Sequence, residues 1–151
     1  MDENRIESAA DLRLTELAEI FTAGFAGYVI PMRMTPAALA QRIAAEDVDL
    51  EASRVLRRGA DRVGLALVAR RGWVSRVAAM GIRPEARGQG VGRALLERLL
   101  EDARARGDRR IRLEVFESNA TARQLYERGG FRIVGIDEVH RGVPQQLLVW
   151  P

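Results

Sequence analysis

The stretch that decides the reading of this chain is Arg87–Leu100, RGQGVGRALLERLL, with glycines at 88, 90 and 92 followed by apolar residues at helical spacing. Val91, Leu95 and Leu99, with Leu96 and Leu100 beside them, predict a helix running to about Arg106. Glycine loses more backbone entropy on folding than any other residue, so three of them before a helix call for a reason. Amides at a helix N-terminus lack intrahelical acceptors, and the helix dipole adds roughly half a positive charge there. Without Cβ atoms in the way, such amides can close on an anion. A strand, a glycine loop and a helix together make a phosphate cradle. Arg87 and Arg93 bracket the loop and can add charge-assisted contacts. The plainer alternative is a strand-to-helix connection, with Arg93 a surface arginine.

The details exclude two familiar phosphate loops. A Walker loop ends in Gly-Lys-Ser/Thr, and this chain has no lysine: all 24 basic residues are arginine. The dinucleotide fingerprint is G-x-G-x-x-G on the first strand of a parallel unit. Here the glycines fall as G-x-G-x-G, after three segments that read as antiparallel strands, so a Rossmann-like domain is disfavoured.

Composition narrows the field further. With 151 residues, 47% hydrophobic and 30% charged, residues 1–151 are expected to form one globular domain. No apolar run approaches the ~20 residues of a membrane span. The N-terminal MDENRIESAADLRL is acidic where a secretory signal is basic and then apolar, so a cytoplasmic protein is expected. No cysteine and a single histidine, His140, leave no thiolate or histidine cluster for a metal, and none is expected. The pI of about 10.4 suggests nucleic acid, but the net charge is +3 and the acids are interspersed, as in EDARARGDRR. A solvated mixed surface follows rather than a phosphate track.

Along the chain, DLRLTELAEIFTAGF carries Leu14, Leu17, Phe21, Gly24 and Phe25 on one helical face. MTPAALAQRIAAED opens on Thr35 as N-cap with Pro36 behind it. SRVLRR, RVGLALVAR and WVSRVAAMGI read as three hairpin-linked strands. After the glycine helix come the strand RRIRLEVFE, the helix NATARQLYERGG and the closing strands FRIVGIDEV and QQLLVW. With a weak first strand near Arg5–Ser8 the order is β-α-α-β-β-β-α-β-α-β-β. The fold class is α/β (α+β), a mixed, mostly antiparallel sheet flanked by about four helices. Pro31, in YVIPMRM, marks a loop between the first two helices that could line a cleft.

Arg87, Gly90 and Gly92 spell R-x-x-G-x-G after the strand VAAMGI, and SNATARQLYERGGF follows downstream. In these motifs, and in element order over nearly the whole chain, the sequence resembles the GNAT superfamily of acyl-CoA-dependent N-acyltransferases. The resemblance implies acetyl-CoA as co-substrate. The backbone of Met80, Gly81 and Ile82 would pair with the pantetheine arm as an added strand, and one amide would polarise the thioester carbonyl. Amides of Arg87, Gly88, Gln89, Gly90, Val91, Gly92 and Arg93 would hold the pyrophosphate. Asn119 would contact the pantetheine or the amine path as well as cap its helix. Tyr126 would sit near the coenzyme sulfur as the acid, its plainer reading being an interfacial core tyrosine.

In RIRLEVFESN, Glu114 alternates away from Ile111, Leu113 and Val115, and a carboxylate on a central strand is costly unless paired or functional. The family branch that acetylates protein N-termini has a glutamate base in a similar LEV…SN stretch. An ion pair with Arg112 or another arginine is the structural alternative. His140 reads as a surface residue. No residue offers an evident covalent carrier, so direct transfer to a small-molecule or peptide amine is expected, without nucleic acid or membrane and with homodimerisation left open. A non-catalytic acyl-CoA-binding module is the alternative. Tyr28, Glu46, Asp47 and Asp49 could form an acidic mouth for a cationic amine, the equal alternative being a solvated helix end.

Overall fold

Residues of alternating polarity settle into strands and the 3.6-residue periods into helices. The computed structural model describes residues 4–28, 32–140 and 143–150, with 134–140, 143–147 and 150 described through their backbone. The order is β1 (Asn4–Ser8), α1 (Leu14–Gly24), α2 (Pro36–Ala45), β2 (Arg54–Arg58), β3 (Asp61–Arg71) and β4 (Val74–Ile82). Then follow α3 (Val91–Arg106), β5 (Arg110–Phe116), α4 (Ala120–Arg128), β6 (Arg132–His140) and β7 (Val143–Trp150). This is the expected order, and the weak first strand is a full partner of β2. Local chemistry sets the ends. Thr35 Oγ1 accepts from the Ala38 amide at 3.1 Å, with Pro36 in the first turn of α2. Gly107 stops α3 at φ +80°, a left-handed cap that suits glycine.

The strands form one sheet in the order β1-β2-β3-β4-β5-β7-β6. Every pairing is antiparallel except β4–β5, which α3 joins by a crossover. On one face α1 and α2 bury Leu17, Phe21 and Leu39 against Leu65 and Leu67. On the other, α3 sets Leu96, Leu99 and Leu100 against Val68, Val77 and Leu113. Burying each such side chain contributes roughly 1.5–3 kcal/mol. α1 crosses β4 so closely that a Cβ on Gly81 would lie 3.0 Å from the Gly24 carbonyl carbon and from the Phe25 ring.

One irregularity shapes the functional end. Leu67 faces Ala79 while Val68 faces Val77, so Ala78 is an extra residue in β4. Among the described residues the parallel ladder runs from Val74↔Arg110 to Val77↔Leu113 and stops. β5 instead keeps β7 as its partner as far as Phe116↔Gln145. The two central strands therefore part just past the bulge.

At the opposite end a buried polar brace holds them together. Ser75 Oγ and Arg106 Nη2 both donate to Oδ2 of Asp108, the arginine at 2.8 Å, and Arg70 lies 3.7 Å from Oδ1. The Asp108 side chain is fully buried. Burial alone would raise this carboxyl, but the Ser75 and Arg106 hydrogen bonds and the charges of Arg106 and Arg70 outweigh it and hold it below the ordinary aspartate value. A carboxyl lowered by folding adds stability above its unfolded value, and that stability is lost as pH falls through the folded one. Asp108→Asn should cost about 3 kcal/mol at pH 7, because two guanidinium groups lose a buried partner. In urea titrations the gap between wild type and variant should narrow steadily below about pH 4; a gap independent of pH would remove the carboxylate from this role.

Candidate active site

The parting strands leave a wedge-shaped cavity of about 460 Å³, walled by Ala78, Ala79 and Met80 on β4 and by Glu114, Val115 and Phe116 on β5. Ala122 and Tyr126 of α4 and Phe25 and Tyr28 beyond α1 close its sides. The backbone of β4 points into it in alternation. The Arg83 amide donates to Val63 O at 2.9 Å and Gly81 pairs with Leu65, so these residues face β3. Met80 and Ile82 face the other way. The Met80 carbonyl accepts from the Tyr28 hydroxyl at 3.4 Å and the Ile82 carbonyl from Arg87 Nε at 2.9 Å. Of the three strand residues expected to bind pantetheine, Met80 and Ile82 thus present main-chain groups on the open edge. Gly81 is a glycine so that α1 can approach the sheet.

The glycine loop lies at the end of the same edge. Gly88 and Gly90 adopt φ +74° and +81°, and a Cβ on either would meet nothing within 4 Å, so the space over the loop is open. No side chain caps the N-terminus of α3, and its first turn carries no acid. The amides of Val91, Gly92 and Arg93 therefore have no acceptor within the helix. These amides could hold an anion such as a diphosphate. The flanking side chains serve other ends. Gln89 donates to Glu85 O at 3.0 Å and accepts from Arg58, while Arg93 lies in the open, paired with Glu97 at 3.0 Å. The Arg87 guanidinium turns back onto main-chain carbonyls, including Gly24 O at 3.2 Å and Ala26 O at 2.7 Å.

Glu114 lines the wedge, and its partner is Arg76 of β4 rather than Arg112. Arg76 Nε and Nη2 both donate to Oε2, at 3.2 and 3.0 Å; Oε1 has no partner among the described residues. Arg76 Nη1 donates to Glu46 Oε1 at 3.0 Å, Glu46 Oε2 pairs with Arg42, and Arg42 Nη2 donates to Ala78 O at 2.6 Å. Four alternating charges thus run along the cavity from the bulge carbonyl to Glu114. Burial alone would favour the neutral form of Arg76, but the Glu114 and Glu46 carboxylates outweigh it and raise its pKa.

Tyr126 is buried in the cavity wall, its ring edge-on to Phe131 at 5.8 Å. Burial, and in lesser degree the neighbouring Tyr28, push its phenol far above the ordinary tyrosine value, so it stays protonated. Asn119 caps α4, its Oδ1 accepting from the Ala122 amide at 3.2 Å, and stands beside the Tyr28 hydroxyl. Burial likewise raises the Tyr28 phenol, against the charge of Arg87 and the hydrogen bond of Asn119.

The acidic mouth does not form as expected. Tyr28 and Glu46 reach the cavity, but Asp47 pairs with Arg71 and Asp49 with Arg70, at the far end of β3. Sequence reasoning missed Arg76 and Arg42. An arginine inside the otherwise apolar VSRVAAMGI was the available signal, because a charge there demands a partner. Pro31 and the His140 side chain lie outside the described residues.

Comparison with known proteins agrees with this fold. The model of the acetyltransferase (GNAT) family matches residues 19–131. The mycothiol acetyltransferase of Beutenbergia cavernae is 46% identical over 65 residues, 43% of this chain and 22% of the relative. The streptothricin acetyltransferase of Streptomyces lavendulae is 35% identical over 94 residues, 61% of this chain and 50% of the relative. The chain thus spans at most about half the length of these relatives. Among solved structures, the ribosomal-protein-S18-alanine N-acetyltransferase from Escherichia coli superposes with a TM-score of 0.81 at 25% identity, covering 99% of this chain and 94% of its own. With the family model spanning residues 19–131 and the fold shared with such a neighbour over nearly the whole chain, this chain belongs to the acetyltransferase (GNAT) family.

Proposed function

We propose that this chain transfers an acetyl group from acetyl-CoA directly to a primary amine within a ternary complex. The observation that carries the reading is the parting of β4 from β5 past Val77 and Leu113, with the glycine cradle at the end of the open edge and Glu114 and Tyr126 in the wedge. The coenzyme supplies an activated thioester. The chain's own residues bind and orient it: the α3 amides hold the diphosphate, and the open edge at Met80 and Ile82 pairs with the pantetheine arm. Glu114, anchored through Oε2, offers Oε1 to an incoming ammonium and takes its proton. The freed amine attacks the thioester carbonyl and the C–S bond breaks; Tyr126, kept protonated by burial, gives its proton to the departing thiolate, and the new amide nitrogen returns one to the phenolate. Holding both reactants in one cavity supplies much of the rate.

The acceptor is a small-molecule or peptide amine. The similar proteins act, by their names, on mycothiol, streptothricin and the alanine of a ribosomal protein. A thiol-release assay with acetyl-CoA against polyamines, aminoglycosides, amino acids and peptides tests the reading. Release with one acceptor class supports it. Coenzyme binding without release across the panel would instead favour a binding module.

Three variants locate the parts. Gly90→Val places a β-branched residue at φ +81°, in the open space where the diphosphate sits, and should weaken acetyl-CoA binding severely by calorimetry. Unchanged affinity in the folded variant would move the coenzyme elsewhere. Tyr126→Phe keeps ring and packing, so it should lower kcat by roughly 10²–10⁴ with little change in coenzyme affinity; full activity would make Tyr126 a packing residue. Glu114→Gln removes the carboxylate that takes the ammonium proton, so it should shift the pH–rate profile. An unaltered profile would assign deprotonation to water.

A further inference from the structure

Arg87 opens the phosphate loop, yet its side chain is committed to the opposite wall of the cavity. Nε donates to Ile82 O at 2.9 Å, the end of β4. Nη2 donates to Gly24 O at 3.2 Å and to Ala26 O at 2.7 Å. Gly24 is the last residue of α1, whose final carbonyls have no intrahelical donors and form the negative end of the helix dipole. A guanidinium there caps the helix from about sixty residues away in sequence. The same group lies 5.6 Å from the centre of the Tyr28 ring, within cation–π range. Tyr28 and Phe25 stack edge to face at 4.7 Å, and both line the cavity.

We propose that Arg87 is a positioning residue that couples the coenzyme cradle to the wall formed by Gly24–Tyr28, so that filling the cradle orders that wall. This rests on the acetyltransferase reading for the identity of the ligand. The planar fork of arginine suits the task, because it addresses carbonyls on two separate elements at once. The loop whose amides face the diphosphate begins at Arg87, the residue whose side chain caps the end of α1. Movement of the Arg87 backbone is transmitted to Gly24 and Ala26 through those bonds and to Tyr28 through the ring contact. The diphosphate is then held by main-chain amides and the α3 dipole, with the Arg87 side chain engaged elsewhere.

Hydrogen exchange followed by mass spectrometry tests this, comparing each variant with and without ligand so that general loosening cancels. The probes are coenzyme A and 3′-phosphoadenosine 5′-diphosphate, which carries the phosphates without the pantetheine arm. In the wild type both should slow exchange in peptides spanning 83–95 and, at a distance, 21–28. In Arg87→Ala and in Arg87→Lys, which keeps the charge but lacks the fork, the first effect should persist and the second vanish. Calorimetry with coenzyme A should show less than about a tenfold loss in either variant, since no charge-assisted bond to phosphate is removed. Protection of 21–28 that survives in Arg87→Ala, or that coenzyme A confers and the fragment does not, would assign ordering to direct contact and overturn the coupling. A larger loss of affinity would make Arg87 a phosphate ligand and overturn it equally. If coenzyme A fails to bind the wild type, the acetyltransferase reading falls and this inference with it; binding without long-range protection sinks the inference alone.

Discussion

The cleft depends on hydrogen bonds that β4 and β5 do not make. Backbone donors and acceptors inside a fold are almost always paired, so an unpaired edge in the middle of a sheet is a costly feature that needs support. The extra residue at Ala78 supplies it by bending β4 where the parallel ladder ends. Neither strand can swing shut cheaply: β4 is zipped to β3 from Val74 to Ile82, and β5 to β7 through Phe116. Side chains meanwhile stand in for the missing strand. Tyr28 answers the Met80 carbonyl, Arg87 that of Ile82 and Arg42 that of Ala78. Each of these donors comes from, or reaches across to, the layer above the sheet, so the open edge and the helices that cover it are fastened by the same contacts.

The ionic chain beside this edge positions more than it stabilises. Isolated exposed ion pairs contribute about 0–1 kcal/mol, whereas half-buried pairs sharing partners hold geometry better than separate ones. Arg76 is the pivot, since one guanidinium gives Nη1 to Glu46 and Nε with Nη2 to Glu114. A lysine ammonium, a compact point charge, has no such fork. Because Arg42 ends the chain on the bulge carbonyl, the orientation of Glu114 is tied to the place where the strands part. In the proposed transfer, the group that takes the proton is thus registered against the strand that holds the thioester.

Much of the fold was legible because local and global signals agree. Apolar runs bounded by turns became strands, Thr35 and Asn119 became caps, and Gly88 and Gly90 took left-handed φ just before α3, whose first turn holds Gly92. Glu114, Asn119 and Tyr126, which the family resemblance singled out, line one wedge. What could not be read are pairings that spacing does not encode. Arg76 and Glu114 are 38 residues apart and meet through a parallel register, which no periodicity announces. Gly81 suggested an approach to a ligand, but the close neighbour is Gly24 of a helix whose crossing point only the packed core decides. Asp47 and Asp49 suggested an acidic mouth, yet arginines on β3 lay nearer than the cavity.

Arg87 is the most instructive of these. A cation at the head of a phosphate loop suggests a phosphate contact, but α1 ends within reach of the same guanidinium and offers carbonyls that nothing else in its helix can satisfy. Those acceptors are part of the fold and are there before any ligand. The cradle meanwhile already has donors in the main chain of α3, where the dipole reinforces them. In the proposed reading work is divided accordingly: main-chain groups face the coenzyme, and the long side chains Arg42, Arg76 and Arg87 hold the walls. Tyr126 fits that division, because a phenol sealed against Phe131 and kept neutral by burial perturbs the cavity least until charge develops beside it.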